Sequence, residues 1–474
     1  MVKNNAPEPI SAFLERERAA GPGDCGALVE QAMALLEQAY VHLPVVRASG
    51  MDPIGQLGSL KHQRPENRLR FHQELLSVFA RLGDRHTRCQ LPEPFASSVA
   101  FLPFRVGEFF EHGERRLAVL DSGTDALERG ERIVSWNGAP VMDVIERHMA
   151  WQHGANQEAR HAKAVQTLTF RPLALMPPPM EEVTLECDSP RGRGRTVRLD
   201  WHVAGASWLA RHFEDRPAMR DGLSARTVKT SHGSFGYMRV SSLHGSPETF
   251  LNGFVQALES MPREGLILDM RSCEEGFVQL GERLLQLFTP RRIQPERFQF
   301  RVTELILRMV RSCTALSNWG EAVERAAARG QVFSESLPLT SEEEANSMGQ
   351  RYHGPVVLLT NALTYSTAEM FAAGFQDHRI GPVVGTAPCT GGGGASPWPQ
   401  STLFQLSRHE AFRPQPDAPA FRIAVRRCSR VHEMAGVLLE GAGVAPDVLH
   451  LPTKGDLFND DHELLEKAGS VLKQ

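Results

Sequence analysis

The feature that most constrains this chain is an alternation of two hydrophobic periods between residues 233 and 377. "GSFGYMRVSSL" (233–243) and "GLILDMRS" (265–272) read as strands, and "PETFLNGFVQALESM" (247–261) and "FVQLGERLLQLF" (277–288) as helices. The pair recurs as "PVVLLTN" (355–361), a buried strand, and Ser366 to Asp377, a helix with Met370, Phe371 and Phe375 on its apolar side. Strands alternating with helices imply an α/β domain around a mostly parallel sheet. In such sheets the working residues gather at the carboxyl ends of the strands. Ser366, the segment after Asp269 and the glycine run at 391–394 all fall there.

Ser366 itself admits two readings. Ser366-Thr367-Ala368-Glu369 fits a capping box, in which serine and glutamate satisfy free amides of the first helical turn. A nucleophile displayed on a strand-to-helix elbow is the other reading, and it needs partners from elsewhere in the chain.

Residues 26–47 have helical periodicity, and a Gly/Pro-punctuated linker follows to about Glu66. A second helix, "RFHQELLSVFARL", stops at Gly83, and the next loop, "GDRHTRCQLPEPF", carries Asp84 and His86. From about 97 to 205 short strands take over, with a hairpin turn at Asn137-Gly138 and a second hairpin whose tip is rich in Gly and Arg. After a variable, charged stretch the α/β pattern resumes. The division expected is therefore 1–96 helical, 97–205 a small β-rich module, and 206–474 the α/β domain.

The bulk properties exclude several functions. Lys+Arg 52 against Asp+Glu 56 gives a net charge of −4 without a basic run, which argues against nucleic acid. The seven cysteines are dispersed with no C-x-x-C pair, so neither a zinc knuckle nor a disulfide scaffold is expected, and a reducing compartment is. The N-terminal stretch lacks an apolar signal core, and no later segment is long enough to span a membrane. A soluble, cytoplasmic protein is expected.

Acyl transfer needs a nucleophile, a base within hydrogen-bond reach, a group that orients the base, and amides aimed at the developing oxyanion. The Thr367 amide lies beside Ser366, and the Gly276 amide, in "DMRSCEEGF", is a second donor candidate. No lysine occurs between Ser366 and Lys454, which removes a Ser–Lys dyad with its lysine downstream of the elbow. His378 follows the serine's own helix, about 18 Å away at 1.5 Å per residue. His409 and His432 sit among polar residues and read as surface positions, and His86 lies on a short loop with a carboxylate two residues earlier, a candidate although such a loop histidine is more often a surface residue. Glu440, in "LLEGAGVAPD", could orient or polarise that histidine. "TGGGGAS" (390–396) lacks the Lys and Gly spacing of a P-loop and reads as a loop lining the site.

Taken together these stretches resemble the tail-specific (C-terminal-processing) serine peptidases, and more closely their tricorn-like branch. "LGDRHTR" (82–88) resembles the segment of the histidine base, and "ALERGERIVSWNGAPV" (126–141) a PDZ-like module that binds peptide ends. "GYMRVSSL…GLILDMRSCEEG" (236–276) resembles the start of the catalytic core. "LTNALTYSTAEMFAAGFQDHRIGPVVGTAPCTGGGG" (359–394) resembles the nucleophile segment, and "EGAGVAPD" (440–447) closes the domain. The resemblance implies a crotonase/ClpP-like tail-specific protease core preceded by an N-terminal helical segment and a small PDZ-like β-rich module. It implies Ser366 as nucleophile, His86 as base, Glu440 as the acidic member, and Gly276 and Thr367 at the oxyanion. A peptide or protein substrate follows, with no metal or organic cofactor, and a homo-oligomer is admitted. Three positions depart from the pattern. Gly391 stands where bacterial processing proteases carry a lysine, Glu275 where a glycine is expected, and Arg85 where a small residue is usual. Glu275 motivates a second expectation: a peptidase-fold protein with impaired turnover that binds peptide or an apolar ligand. A crotonase-like acyl enzyme is a third, although it leaves the serine, histidine and PDZ-like module together unexplained.

Overall fold

The computed structural model describes residues 6–19, 25–62, 67–179, 182–189, 192–213 and 222–474. The α/β alternation forms a six-stranded sheet in the order Leu223–Thr230, Gly233–Val240, Leu266–Asp269, Val356–Thr360, Val383–Gly385, Val448–Leu449. Every pairing in it is parallel except the first, an antiparallel hairpin at one edge. The central strands Leu266–Asp269 and Val356–Thr360 are buried along their whole length, as their unbroken apolar runs require. Helices Pro247–Glu259, Val278–Gln286 and Thr367–Asp377 pack through Phe250, Phe254, Leu284, Leu285 and Phe371 into the main core. On the opposite face His462–Leu472 closes a smaller core with Phe235, Ile267, Val357 and Leu359.

The charged stretch expected to vary contributes strand Arg297–Phe300 and helices Glu304–Ser312 and Gly320–Ala328. Arg297–Phe300 joins a second sheet built around the long strand Ala420–Ser429, which also pairs with Ala395–Pro399 and with Arg88–Gln90. That last pairing stitches the histidine loop to the catalytic domain.

Residues 104–200 contain the β-rich module, a sheet in the order Gly194–Asp200, Glu182–Asp188, Arg132–Trp136, Glu114–Ser122, Phe104–Glu111, with helices Val141–Met149 and Gln157–Gln166. The Asn137-Gly138 turn has positive φ at both residues (50° and 77°), as a two-residue hairpin demands. The Gly/Arg-rich tip of the second hairpin includes residues 190–191, which lie outside the described residues.

Two expectations need correction. The helix read as 26–47 is broken into Cys25–Ala39 and Leu43–Ala48, and the supposed linker is largely helix Pro53–His62. Gly55 and Gly58 weaken that helix locally, but Ile54, Leu57 and Leu60 are buried in the main core, and tertiary packing outweighs propensity. One edge strand of the β-rich module, Phe104–Glu111, is also covered. The Phe110 amide donates to Pro452 O at 2.7 Å, and a methyl on Gly107 would stand 2.6 Å from Leu457 Cδ1. The chain's own segment 452–458 thus lies along Phe104–Glu111. Among the described residues no helix is long and apolar enough to cross a membrane, and all seven cysteines are free thiols.

Candidate active site

Strand Val356–Thr360 ends in a tight turn that leads to helix Thr367–Asp377. Asn361 Oδ1 accepts from the Ser272 amide (2.9 Å), Thr364 Oγ1 donates to Met270 O (3.0 Å), and the Tyr365 amide donates to Cys273 O (3.0 Å). The turn is therefore fastened to the end of the neighbouring strand, where Gly276 follows. Ser366 emerges with φ 58° and ψ −125°, a conformation that costs a non-glycine residue on the order of 1–3 kcal/mol. Its side chain does not cap the helix. The Oγ points instead to His86 Nε2, 3.0 Å away, and both residues are buried.

His86 is held by its own loop. Asp84 Oδ1 accepts the His86 amide at 2.7 Å, and Thr87 Oγ1 accepts the Ala424 amide at 2.9 Å. The imidazole lies against the Tyr365 ring with centroids 4.8 Å apart. Burial, followed by the charges of Arg422, Arg85, His42 and Arg88, pushes the His86 pKa well below its usual value. The imidazole is therefore neutral at physiological pH and able to accept a proton. A surface histidine is the commoner fate of such a loop residue, but His86 has no solvent exposure.

Gly276 and Thr367 meet across the same gap, with Thr367 Oγ1 donating to Gly276 O at 2.8 Å. Thr367 opens the helix, so its amide has no intrahelical acceptor. Position 276 requires glycine, because a Cβ would lie 2.3 Å from Leu243 Cβ. The adjoining Glu275, where a glycine is expected, brings a carboxylate next to this gap. Its carboxylate accepts from Arg422 Nη1 at 2.7 Å, with Arg88 and His244 each 4.0 Å away. Burial alone would raise the Glu275 pKa, yet the Arg422 hydrogen bond and the surrounding positive charge hold it below the ordinary value. The charge is present and neutralised. Arg422→Gln should then lower kcat about tenfold by freeing that carboxylate, while Glu275→Gln changes it less than threefold. Arg422→Gln should also move the acid limb of kcat/KM upward, since removing a cation raises the pKa of His86. A steady-state pH profile of both variants checks the pair.

Glu440 does not occupy the place expected of it. Its carboxylate faces His42 (Oε2 to Nε2, 3.5 Å) rather than hydrogen-bonding His86. His86 Nδ1 has no hydrogen-bond partner among the described residues. Glu440 arrives on the turn after Ala420–Ser429, and its route is fixed by the Gly441 amide donating to Gly392 O at 2.8 Å. Burial, with the carboxylates of Asp84 and Glu369 nearby, drives its pKa well above the usual range. Burial lowers His42 to about 4. His42, Asp84 and Glu440 bring metal-ligand atoms within 4.8 Å of one another, and form a polar wall behind the histidine base.

Two residues that the sequence reading left aside complete the site. Glu369, read as the far end of a capping box, is fully buried and turned away from Ser366. It accepts from the amides of Gly392 (2.7 Å) and Gly393 (2.5 Å) and from the Thr390 hydroxyl, so it ties the glycine run to the nucleophile helix. Burial lifts its pKa to about 7 against the pull of those donors. Tyr365 explains Gly391: a Cβ there would stand 2.4 Å from Tyr365 Cδ2, so the ring fills the space that a dyad lysine would need. The helix Gln157–Gln166 of the β-rich module buttresses the site, through Lys163 Nζ to Glu274 (2.8 Å) and Asn156, its N-cap, to Thr390 O (2.8 Å).

An α/β sheet that presents a strained serine, a neutral histidine and a free amide at the start of the serine's helix belongs to the class of proteins equipped for serine-type acyl transfer. Residues 234–449 match peptidase family S41, and residues 98–214 match the PDZ domain family. The chain thus carries a region similar to peptidase family S41 over a little under half of its length, preceded by a PDZ domain, and these matches mark it as a serine peptidase. No curated protein matches the sequence. Among solved structures, mature CPAF superposes with a TM-score of 0.73 at 19% identity, covering 95% of this chain and 98% of that one. Mature CPAF complexed with lactacystin gives 0.71 at 19% identity, over 95% and 99%. At such identities the likeness speaks to the fold. It extends through the helical and PDZ regions as well as the catalytic sheet.

Proposed function

We propose that this peptidase cleaves peptide bonds with Ser366 as nucleophile and His86 as general base. One observation carries the reading: the 3.0 Å approach of His86 Nε2 to an Ser366 Oγ held out on a positive-φ elbow. Oγ attacks the scissile carbonyl carbon while its proton passes to Nε2, so Nδ1 carries the hydrogen of the neutral ring. The amides of Gly276 and Thr367 receive the oxyanion. The tetrahedral adduct collapses as Nε2 returns the proton to the departing amine, and a water activated by the same nitrogen then frees the acyl group. Asp84, on the polar wall, faces the imidazolium that forms transiently, whereas Glu440, which burial keeps toward its neutral form, completes that wall through His42 and makes no direct hydrogen bond to the base.

Residues 1–96 deliver the base, 97–205 brace the cleft, and 206–474 carry nucleophile and oxyanion donors. The histidine base and the tyrosine-filled lysine slot favour the tricorn-like branch. Seven free thiols accord with a reducing, cytoplasmic setting. Hydrolysis of an unfolded protein in H₂¹⁸O tests the reaction itself. Each new carboxyl terminus should carry ¹⁸O, and unaltered substrate after prolonged incubation would remove the reading.

A further inference from the structure

Next to the segments that carry His86 and Gly276 lies a cleft of about 360 Å³ whose walls are the histidine loop, the end of strand Gly233–Val240 and the segment before Gly276. Its charges do not balance. Arg85, Arg88, Arg422 and Lys163 converge on two carboxylates, Glu274 and Glu275. Arg85 and Lys163 share Glu274, whereas Arg422 takes Glu275. Arg88 is left over. Its nearest carboxylate oxygen is 4.0 Å away, beyond a hydrogen bond, and among the described residues its guanidinium makes none. Arg88 and Arg422 are moreover direct cross-strand partners, an arrangement of like charges that costs stability. One carboxylate between two facing guanidiniums offsets that cost incompletely. The Ser241, Ser242 and Ser272 side chains line the same cleft with hydroxyls.

We propose that this cleft is a subsite for a carboxylate, and that the peptidase selects substrates bearing an acidic group next to the scissile bond. The proposal rests on the peptidase reading above and names its substrate class. A guanidinium fork with unused N–H groups is matched to a carboxylate by geometry as well as charge. The cleft adjoins the chemistry on both sides, since Arg85 precedes His86 in sequence and lies over the Tyr365 ring (5.1 Å), and Glu275 precedes Gly276. The same arginines depress the basicity of His86. A bound carboxylate would offset their field, so an acidic substrate improves the base as it binds, and the preference should appear in kcat as well as KM.

The carboxylate has two sources, a side chain or the substrate's own C-terminus. Cleavage sites in an unfolded protein, mapped by mass spectrometry, locate the scissile bond. Matched fluorogenic peptides then carry Glu or Gln at each neighbouring position, each made with a free and an amidated C-terminus. The wild-type enzyme should favour Glu over Gln at one position by roughly 10–100-fold in kcat/KM. Added salt should shrink that ratio, and Arg88→Gln should remove most of it. Arg88→Lys, which keeps the charge and loses the fork, should fall between. A preference for the free over the amidated terminus, with no side-chain effect, assigns the subsite to the terminal carboxylate. Cleavage by the wild-type enzyme that is indifferent to both changes overturns the proposal while leaving the peptidase intact. Failure to cleave any peptide, with no reaction at Ser366, overturns both.

Discussion

With Ser366 as the proposed nucleophile and His86 as the proposed base, Ser366→Ala and His86→Ala should each reduce peptide hydrolysis by about 10⁴-fold or more, and neither should unfold the protein. The size follows from the division of labour. Without Oγ no acyl-enzyme forms, and without Nε2 the hydroxyl keeps its proton, so the two losses overlap and the double variant should be little worse than either single one. Stability moves independently of activity at this position. Ser366 is held on its elbow at a φ of 58° and a ψ of −125°, and Ser366→Gly relieves that strain. The glycine variant should be inactive and more stable by roughly 1–2 kcal/mol. Ser366→Ala keeps the strain, and should melt within a degree or two of the wild type. Hydrolysis assays beside thermal melts of the three proteins check the set, and a Ser366→Gly protein that keeps activity would contradict it.

Glu369→Ala produces the second large effect, through structure. Its carboxylate receives the Gly392 and Gly393 amides and the Thr390 hydroxyl inside the core. Removing it leaves three buried donors unpaired, at an expected total cost of about 3–5 kcal/mol. The loop it anchors also supports Glu440, through Gly392 O and the Gly441 amide, so activity should fall at least tenfold even where the variant stays folded. The same group gives the protein a pH dependence. Its pKa in the folded protein is about 7 against 4.5 for the ordinary carboxyl. The folded form therefore holds the proton more tightly. The stability this contributes is complete below about pH 4.5 and is lost as pH rises through 7, by roughly 3 kcal/mol. Glu282, lifted by burial to about 7, acts in the same direction. Asp269 acts in the opposite sense. Burial would raise it, but the charge and hydrogen bonds of Arg271 hold it near 2, and its contribution is lost only as pH falls toward that value. Glu369→Gln should thus flatten part of the fall in Tm between pH 5 and 8, and an unchanged slope would remove Glu369 from the account.

The catalytic sheet was readable because its strands are buried on both faces and its helices on one, so each element carries its own periodicity. Ser366 was readable as an alternative, since the residues that serve a capping box also suit an elbow, and only ψ and the direction of Oγ distinguish them. Glu369 was misread for the same reason. Nothing local says that a glutamate one turn into a helix will reach amides more than 20 residues away. Arg422 sits in "FRIAVRRC" as an ordinary polar position on a strand. Its bond to Glu275 depends on bringing residues 147 apart together, which no single-sequence pattern records. Tyr365 left a faint trace, in that the large ring and the small Gly391 and Gly393 are complementary in volume. The facing of Glu440 on His42 is not legible in the sequence, because His42 arrives from a helix boundary that the periodicity runs through.

Reaction of the purified protein with a fluorophosphonate probe, with the adduct mapped by mass spectrometry, tests the central claim most directly. The account predicts a single phosphonylated residue, Ser366, modified at a rate that falls by orders of magnitude in His86→Ala. Folded wild-type protein that stays unlabelled, or labelling of Ser366 that proceeds equally well without His86, would contradict it.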